Sequence, residues 1–358
     1  AIERLRRPAT HPAAVRARVL AAWVARLRAE LARARELAQS AVEAVVGMDS
    51  AEGRAVYRDA LIELGNCCVH LGELGEARLH LEQGLALARG MPELSRVALC
   101  HRHLAYVRLS EGDVTGARDE AREAIFAAER GGDGVEVAQG YQLLSRCALV
   151  SGSLVRAELF LDEARLRFDR AGARWGVATA LNSLGELARE RGEIADAERW
   201  YRESRDCYAA LDSGDGVYPS INLGLLLVEQ ERWEDALAVL LPVRETVRKQ
   251  QRGPMEAAVA VALLPCFAAS EAWDEFDLQI LRGRALLGET GFVETDIARK
   301  AATAGRIAAT RGEDGRARTA YTLAREQWAA LSRPDEVAAV DLALAALPPA
   351  ELAPVAPT

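Results

Sequence analysis

Lysine is almost missing from this 358-residue chain: it stands only at Lys249 and Lys300, so nearly all positive charge is arginine. We read that bias as a matter of codon usage rather than chemistry. Aromatic residues are also scarce, at 5%. Long apolar runs are absent. The longest, Ala257 to Ala269, is about 13 residues and contains Pro265, whereas a membrane-spanning helix needs about 20. No Cys-x-x-Cys pair occurs, and the six cysteines (Cys67, Cys68, Cys100, Cys147, Cys207 and Cys266) sit inside helical patterns. They read as small buried thiols, which places the chain in a reducing cytoplasm. The chain opens Ala1-Ile2-Glu3-Arg4, with no initiator Met and no secretory signal, and reads as a piece of a longer protein.

Catalytic signatures are missing in the same way. There is no Gly-Lys dipeptide, hence no phosphate-binding P-loop, and no His-Arg-Asp, Asp-Phe-Gly, Gly-x-Ser-x-Gly or His-Glu-x-x-His. The expectation is a non-enzyme without cofactors. Arg and Lys total 45 against 53 Asp and Glu, a formal charge of −8, which argues against a general nucleic-acid binder. Half of the residues are apolar, enough for a packed core, so disorder throughout is excluded.

What the sequence does have is a repeat. Gly-acidic-x-x-x-Ala recurs at Gly72…Ala77, Gly112…Ala117, Gly192…Ala197 and Gly312…Ala317, with Gly152…Ala157 and Glu231…Ala236 between. The last positions run Ala77, Ala117, Ala157, Ala197, Ala236, Phe276 and Ala317, in steps of about 40. A second column lies 12 residues earlier: Gly65, Ala105, Ser145, Gly185, Gly224, Leu264 and Gly305. Small residues let two helices approach to the lower end of the usual range of about 8–10 Å. Each unit is therefore expected to be a hairpin of two antiparallel helices, A and B, locked at a small-to-small contact. Apolar residues follow at helical spacing, as in Ala197, Trp200, Tyr201, Ser204 and Tyr208. Gly- and Pro-rich connections separate the helices, including Asp212-Ser213-Gly214-Asp215-Gly216.

The pairing of Leu184-Gly185 on one helix with Ala197 on the next resembles the tetratricopeptide repeat. The period of about 40 is longer than that family's usual one. Lengthened repeats of this kind are similar to those of maltose-regulon-type activators and of the C-terminal arrays of bacterial Ser/Thr kinase–ATPase fusions. The resemblance implies an all-α fold, an α-solenoid of about eight hairpins plus a terminal helix. The hairpins are expected at about 12–46, 54–89, 94–130, 135–171, 175–212, 216–250, 254–289 and 294–331, with a last helix at about 335–347. In domain terms, 1–11 reads as a flexible segment, 12–347 as the array and 348–358 as a disordered Pro-rich tail. One unit breaks the rule: Leu264 and Phe276 are large, and Pro265 sits inside helix A. That is either local drift or a kink that changes the pitch of the stack.

For function, the resemblance implies a groove lined by helix-A residues beside the Gly column. Carried over by position, one column holds Asn66, Tyr106, Arg146 and Glu186. A second holds Ile62, Arg102, Gln142, Asn182 and Ile221, and a third Asp59, Leu99, Gln139, Thr179 and Tyr218. The candidate binding residues are thus Asp59, Asn66, Arg102, Tyr106, Gln142, Arg146, Asn182, Glu186 and Tyr218, with Arg102, Tyr106, Gln142, Arg146 and Asn182 grouped at the centre. The expected partner is a protein or peptide, acidic or bound by its C-terminal carboxylate, or another domain of the same parent chain. No membrane and no nucleic acid is expected. The expected role is the regulatory array of a bacterial signalling protein, the alternative being an effector sensor of a transcription regulator. Cys67, Cys68, His70, Cys100, His101 and His103 were weighed as metal ligands and read as ordinary surface or core residues, since His101 and His103 point to different sides of one helix.

Overall fold

The computed structural model describes residues 11–28, 30–211 and 213–349. Among them are seventeen α-helices and one 3-10 turn, without a strand. The chain divides into two compact units, Ala1–Leu187 and Ala188–Thr358.

The first unit holds α1 (Pro12–Leu27) with α2 (Leu31–Val45), and α3 (Ala51–Leu71) with α4 (Leu74–Arg89). Next come α5 (Leu94–Ser110) with α6 (Val114–Gly131), and α7 (Gly134–Val150) with α8 (Leu154–Arg170). Most of α9 (Arg174–Glu190) also belongs here. The second unit continues with α10 (Ile194–Ala209), the 3-10 turn Gly214–Gly216, α11 (Val217–Glu229) and α12 (Trp233–Lys249). It ends with α13 (Gly253–Ala269), α14 (Trp273–Thr290), α15 (Thr295–Thr310), α16 (Asp314–Ala330) and the closing α17 (Pro334–Ala345). Within each unit helices pack as hairpins, α1 with α2, α3 with α4, α5 with α6 and α7 with α8 in the first and α11 with α12, α13 with α14 and α15 with α16 in the second, giving the expected all-α array of tetratricopeptide type. The expectations for residues 1–10 and 350–358, and for Asp212, fall outside the described residues. At the edges, His11 caps α1 by accepting from the Ala13 amide, and Arg318 donates to the Pro348 carbonyl.

The repeated Gly-acidic pair has a local cause. Gly72, Gly112, Gly152, Gly192 and Gly312 all end an A helix at φ between 71° and 83°, a region costly for residues with a Cβ. The acidic residue after the glycine stands at the N-cap of helix B, where Asp113 accepts from the Gly116 amide at 2.8 Å. Where the glycine is lost, Glu231 and Glu271 take the same left-handed conformation.

The Gly column does permit close approach, but its partner differs from the expected alanine side chain. A Cβ on Gly65 would lie 2.7 Å from Leu81 Cγ and 3.2 Å from the Ala77 carbonyl. On Gly224 it would lie 2.3 Å from Leu240, and on Gly305 2.8 Å from Tyr321. Each glycine thus receives the large side chain 16 residues on, and the alanine brings its backbone close. Leu81 and Leu240 are fully buried. The predicted stripe Ala197, Tyr201, Ser204 and Tyr208 is buried as well, with Trp200 half-buried beneath Arg199. The six cysteines are free thiols, and all but Cys207 are buried.

At the divergent unit, α13 runs as one continuous helix through Pro265, so the helix does not break there. Leu264 and Phe276 are both fully buried. What changes is the stacking: α15 packs along α13, while α14, its neighbour in sequence, hardly touches it. A charged cluster fastens α15. Arg189, in the last turn of α9, bonds Glu229 at the end of α11 and reaches Asp296 of α15 at 2.7 Å. Lys300 of α15, 2% exposed, reaches Glu229 at 2.8 Å. Burial alone would raise the Glu229 pKa, but Arg189 and Lys300 outweigh it and hold the carboxyl at about 2. Burial draws the Lys300 ammonium below its usual range despite that carboxylate.

Two outcomes follow. Gly224→Ala is expected to cost about 1–3 kcal/mol by overpacking and Leu240→Ala about 2–5 kcal/mol. Chemical unfolding should show the double variant losing clearly less than the sum, and strict additivity would refute the contact. Because the folded pKa of Glu229 is depressed, its stabilisation is complete above the unfolded value of about 4.3 and is lost as pH falls toward about 2. Glu229→Gln should cost about 3 kcal/mol at neutral pH and flatten that part of the acid-unfolding profile. An unchanged acid profile would count against the cluster.

Candidate functional site

The A helices of the first unit bury one side against their B helices and leave the other toward a cavity of about 1130 Å³. Residues of α1, α3, α5 and α7 line it. From α1 come Leu20 and Trp23, part of the exposed apolar series Leu20, Trp23, Val24 and Leu27, spaced to share one helical face. From α3 and α5 come Arg58, Asp59, Glu63, Asn66, Arg102, His103 and Tyr106, and from α7 Arg146. A shallower hollow of about 310 Å³ shares Tyr106 and Arg146 and continues to Leu149 and Val150.

Most of the charge around the cavity is already paired. Arg26 grips Glu63 through Nε at 2.8 Å, and Arg102 grips Glu136 in the same way at 2.8 Å. Arg58 is 2% exposed and lies between Asp59, at 2.9 Å, and Glu93, at 2.5 Å. Arg146 differs. Its guanidinium lies 5.5 Å from the Tyr106 ring centroid, and among the described residues it has no carboxylate partner.

Two buried polar side chains on the cavity wall also lack partners. Asn66 is 7% exposed and His103 is 6% exposed, and among the described residues neither side chain makes a hydrogen bond. Burial, reinforced by Arg102, Arg26 and His70, pushes the His103 pKa well below its ordinary value. The neutral ring then has one nitrogen to donate and one to accept. His101, two residues earlier, is spent on Glu120, at 2.6 Å.

Of the residues singled out by sequence, the cavity brings together Asp59, Asn66, Arg102, Tyr106 and Arg146. Gln142 stands on α7 outside the lining. Asn182 and Glu186 stand on α9 and are bonded to each other at 2.8 Å. Tyr218 belongs to the second unit, where Arg252 lies 5.9 Å from its ring centroid. The cavity is centred nearer the N-terminus than the column argument implied, because α1 supplies one wall. Sequence reasoning missed Leu20, Trp23, Arg58 and His103. The signal available for α1 was its apolar spacing at 20, 23, 24 and 27, more than its buried face requires.

The sequence matches no protein-family model and no curated protein. Solved structures do resemble the fold. A signal-transduction ATPase with a tetratricopeptide repeat sensor from Pyrococcus horikoshii superposes with a TM-score of 0.65 at 11% identity, over 87% of this chain and 46% of that one. The Rap conjugation regulator of plasmid pLS20, in complex with the Phr* peptide, gives 0.56 at 14% identity, over 86% and 85%. The quorum sensor NprR from B. thuringiensis gives 0.55 at 12% identity, over 93% and 87%. These likenesses establish a tetratricopeptide-like fold.

His103 is expected to stay neutral on acidification while an unperturbed histidine titrates near 6.5. Its folded pKa is depressed, so it should subtract stability as pH falls below about 6.5, and His103→Gln should remove that loss. Imidazole NMR shifts in the full chain provide the check. Titration of His103 at or above the ordinary value would contradict the buried, unpartnered environment.

Proposed function

We propose that this chain is a peptide-binding repeat array, without catalysis of its own, serving as the sensor or regulatory part of a larger bacterial signalling protein of kinase or ATPase type. The observation that carries this reading is the pair Asn66 and His103, buried without partners on the wall of an open cavity. A main-chain amide offers one donor and one acceptor, which is what a carboxamide and a neutral imidazole lack here. The unpaired Arg146 beside Tyr106 suits a carboxylate, from an acidic side chain or a C-terminus. Leu20 and Trp23 offer an apolar contact at α1.

Four A helices about 8–10 Å apart give a path of about 30 Å, the reach of about eight extended residues. Two comparisons support the reading: one similar structure is a signalling ATPase with a tetratricopeptide repeat sensor, and another holds a peptide. The six free thiols suit a reducing cytoplasm.

The test is fluorescence anisotropy with a library of labelled octapeptides, each made with a free or an amidated C-terminus and with Asp/Glu or Asn/Gln inside. Carboxylate-bearing peptides should be retained. Asn66→Ala should weaken the best of them about tenfold, or about 1.4 kcal/mol, and Arg146→Gln should erase the preference for carboxylate. A library with no retained peptide, or retained peptides indifferent to both substitutions, would refute the proposal.

A further inference from the structure

A second polar cluster lies at α2, α3 and α4, apart from the residues that line the cavity. The Cys68 thiol of α3 and the Glu76 carboxylate and His80 imidazole of α4 have ligand atoms within 4.8 Å of one another. Cys68 is fully buried, and His80 Nδ1 is buried without a hydrogen-bond partner. We propose that Cys68, Glu76 and His80 form a zinc site.

The donor set is one sulfur, one imidazole nitrogen and carboxylate oxygens, the types that bind Zn²⁺ in tetrahedral sites. Glu76 and His80 are four apart on α4 and share a face, toward which Cys68 projects from α3. Arg35 of α2, from outside the set, holds the Glu76 carboxylate at 2.8 Å and that of the neighbouring Glu73 at 3.1 Å. Metal ligands are commonly oriented by such partners.

Charge points the same way. Two carboxylates against one guanidinium leave one negative charge in excess. A divalent ion that displaces the thiol proton brings the group to neutrality. Cysteine binds zinc as the thiolate and histidine as the neutral imidazole, so one proton leaves sulfur for solvent when the metal–sulfur bond forms. Affinity should therefore fall about tenfold for each unit of pH below neutrality. Sequence reasoning grouped Cys67, Cys68 and His70 with Cys100, His101 and His103 and overlooked His80, which lies on the opposite helix of the hairpin.

The full chain is stripped with chelator and titrated with Co²⁺ alone, then with Zn²⁺ as competitor. One cobalt per chain should bind with a sulfur-to-metal charge-transfer band, and zinc should displace it. Cys68→Ser should abolish the band. His80→Gln, at a half-buried position, should weaken binding at least tenfold while far-UV circular dichroism stays unchanged. Absence of the band, its persistence in Cys68→Ser, or wild-type affinity in His80→Gln would each overturn the proposal.

Discussion

Three hairpins depend on one steric constraint: helix A must come close enough to helix B for a large side chain to sit against bare backbone. Gly65 with Leu81, Gly224 with Leu240 and Gly305 with Tyr321 are three instances of one geometry, each with an interval of 16 residues. The left-handed residue at the A-to-B turn fixes the return angle, and the acidic residue after it begins helix B. A single hairpin cannot cover its own apolar faces, so neighbours must stack. Stacking consumes the faces that meet other helices and leaves the remaining face of each A helix for something else. The cavity of the first unit is that remainder.

What lines the remainder decides what it can do. A surface meant only for water would tolerate Asn66 and His103 anywhere, but here they are buried and unmatched while nearly every arginine around them is matched. Pairing Arg26, Arg58 and Arg102 with carboxylates removes their pull on an anion. It leaves Arg146 as the uncompensated cation of the wall, stacked on an aromatic ring. Under the proposed reading a peptide is selected here by hydrogen bonding and one charge, not by bulk electrostatics, and the overall −8 says little about it.

The repeat was legible because it is a periodic constraint, and periodicity survives in a single sequence. Helix positions, turns and the Gly column all follow from the spacing of about 40. The identity of the residue facing each glycine was not legible, since alanine at 12 and leucine or tyrosine at 16 both recur, and only geometry separates backbone approach from side-chain contact. Column arithmetic found Asn66, Tyr106 and Arg146 because they lie beside the glycine. It could not find Trp23, whose hairpin has drifted from the pattern, or Arg189 with Asp296, 107 residues apart. Cys68 and His80 escaped for a related reason, because ligands were sought along A helices and the cluster spans both helices of one hairpin.

The divergent seventh hairpin shows how the steric constraint and the charges trade places. With Leu264 and Phe276 where glycine and alanine would stand, the close approach of the two helices moves to Gly283, where a Cβ would lie 3.2 Å from Val261, and Trp273 packs edge-on against Phe276 of the same helix at 5.9 Å. Stacking on helix B is then no longer the best option for the next hairpin, and α15 lies along α13 instead. That brings Asp296 and Lys300 to the ends of α9 and α11, where carbonyls and the helix dipole favour positive charge. Lys300, one of only two lysines, is buried there against Glu229. Its single compact ammonium fits a site already occupied by the broad guanidinium of Arg189, which a second arginine would crowd. Where the small-residue contact is lost, a charged cluster of high specificity takes over the work of holding neighbouring helices in register.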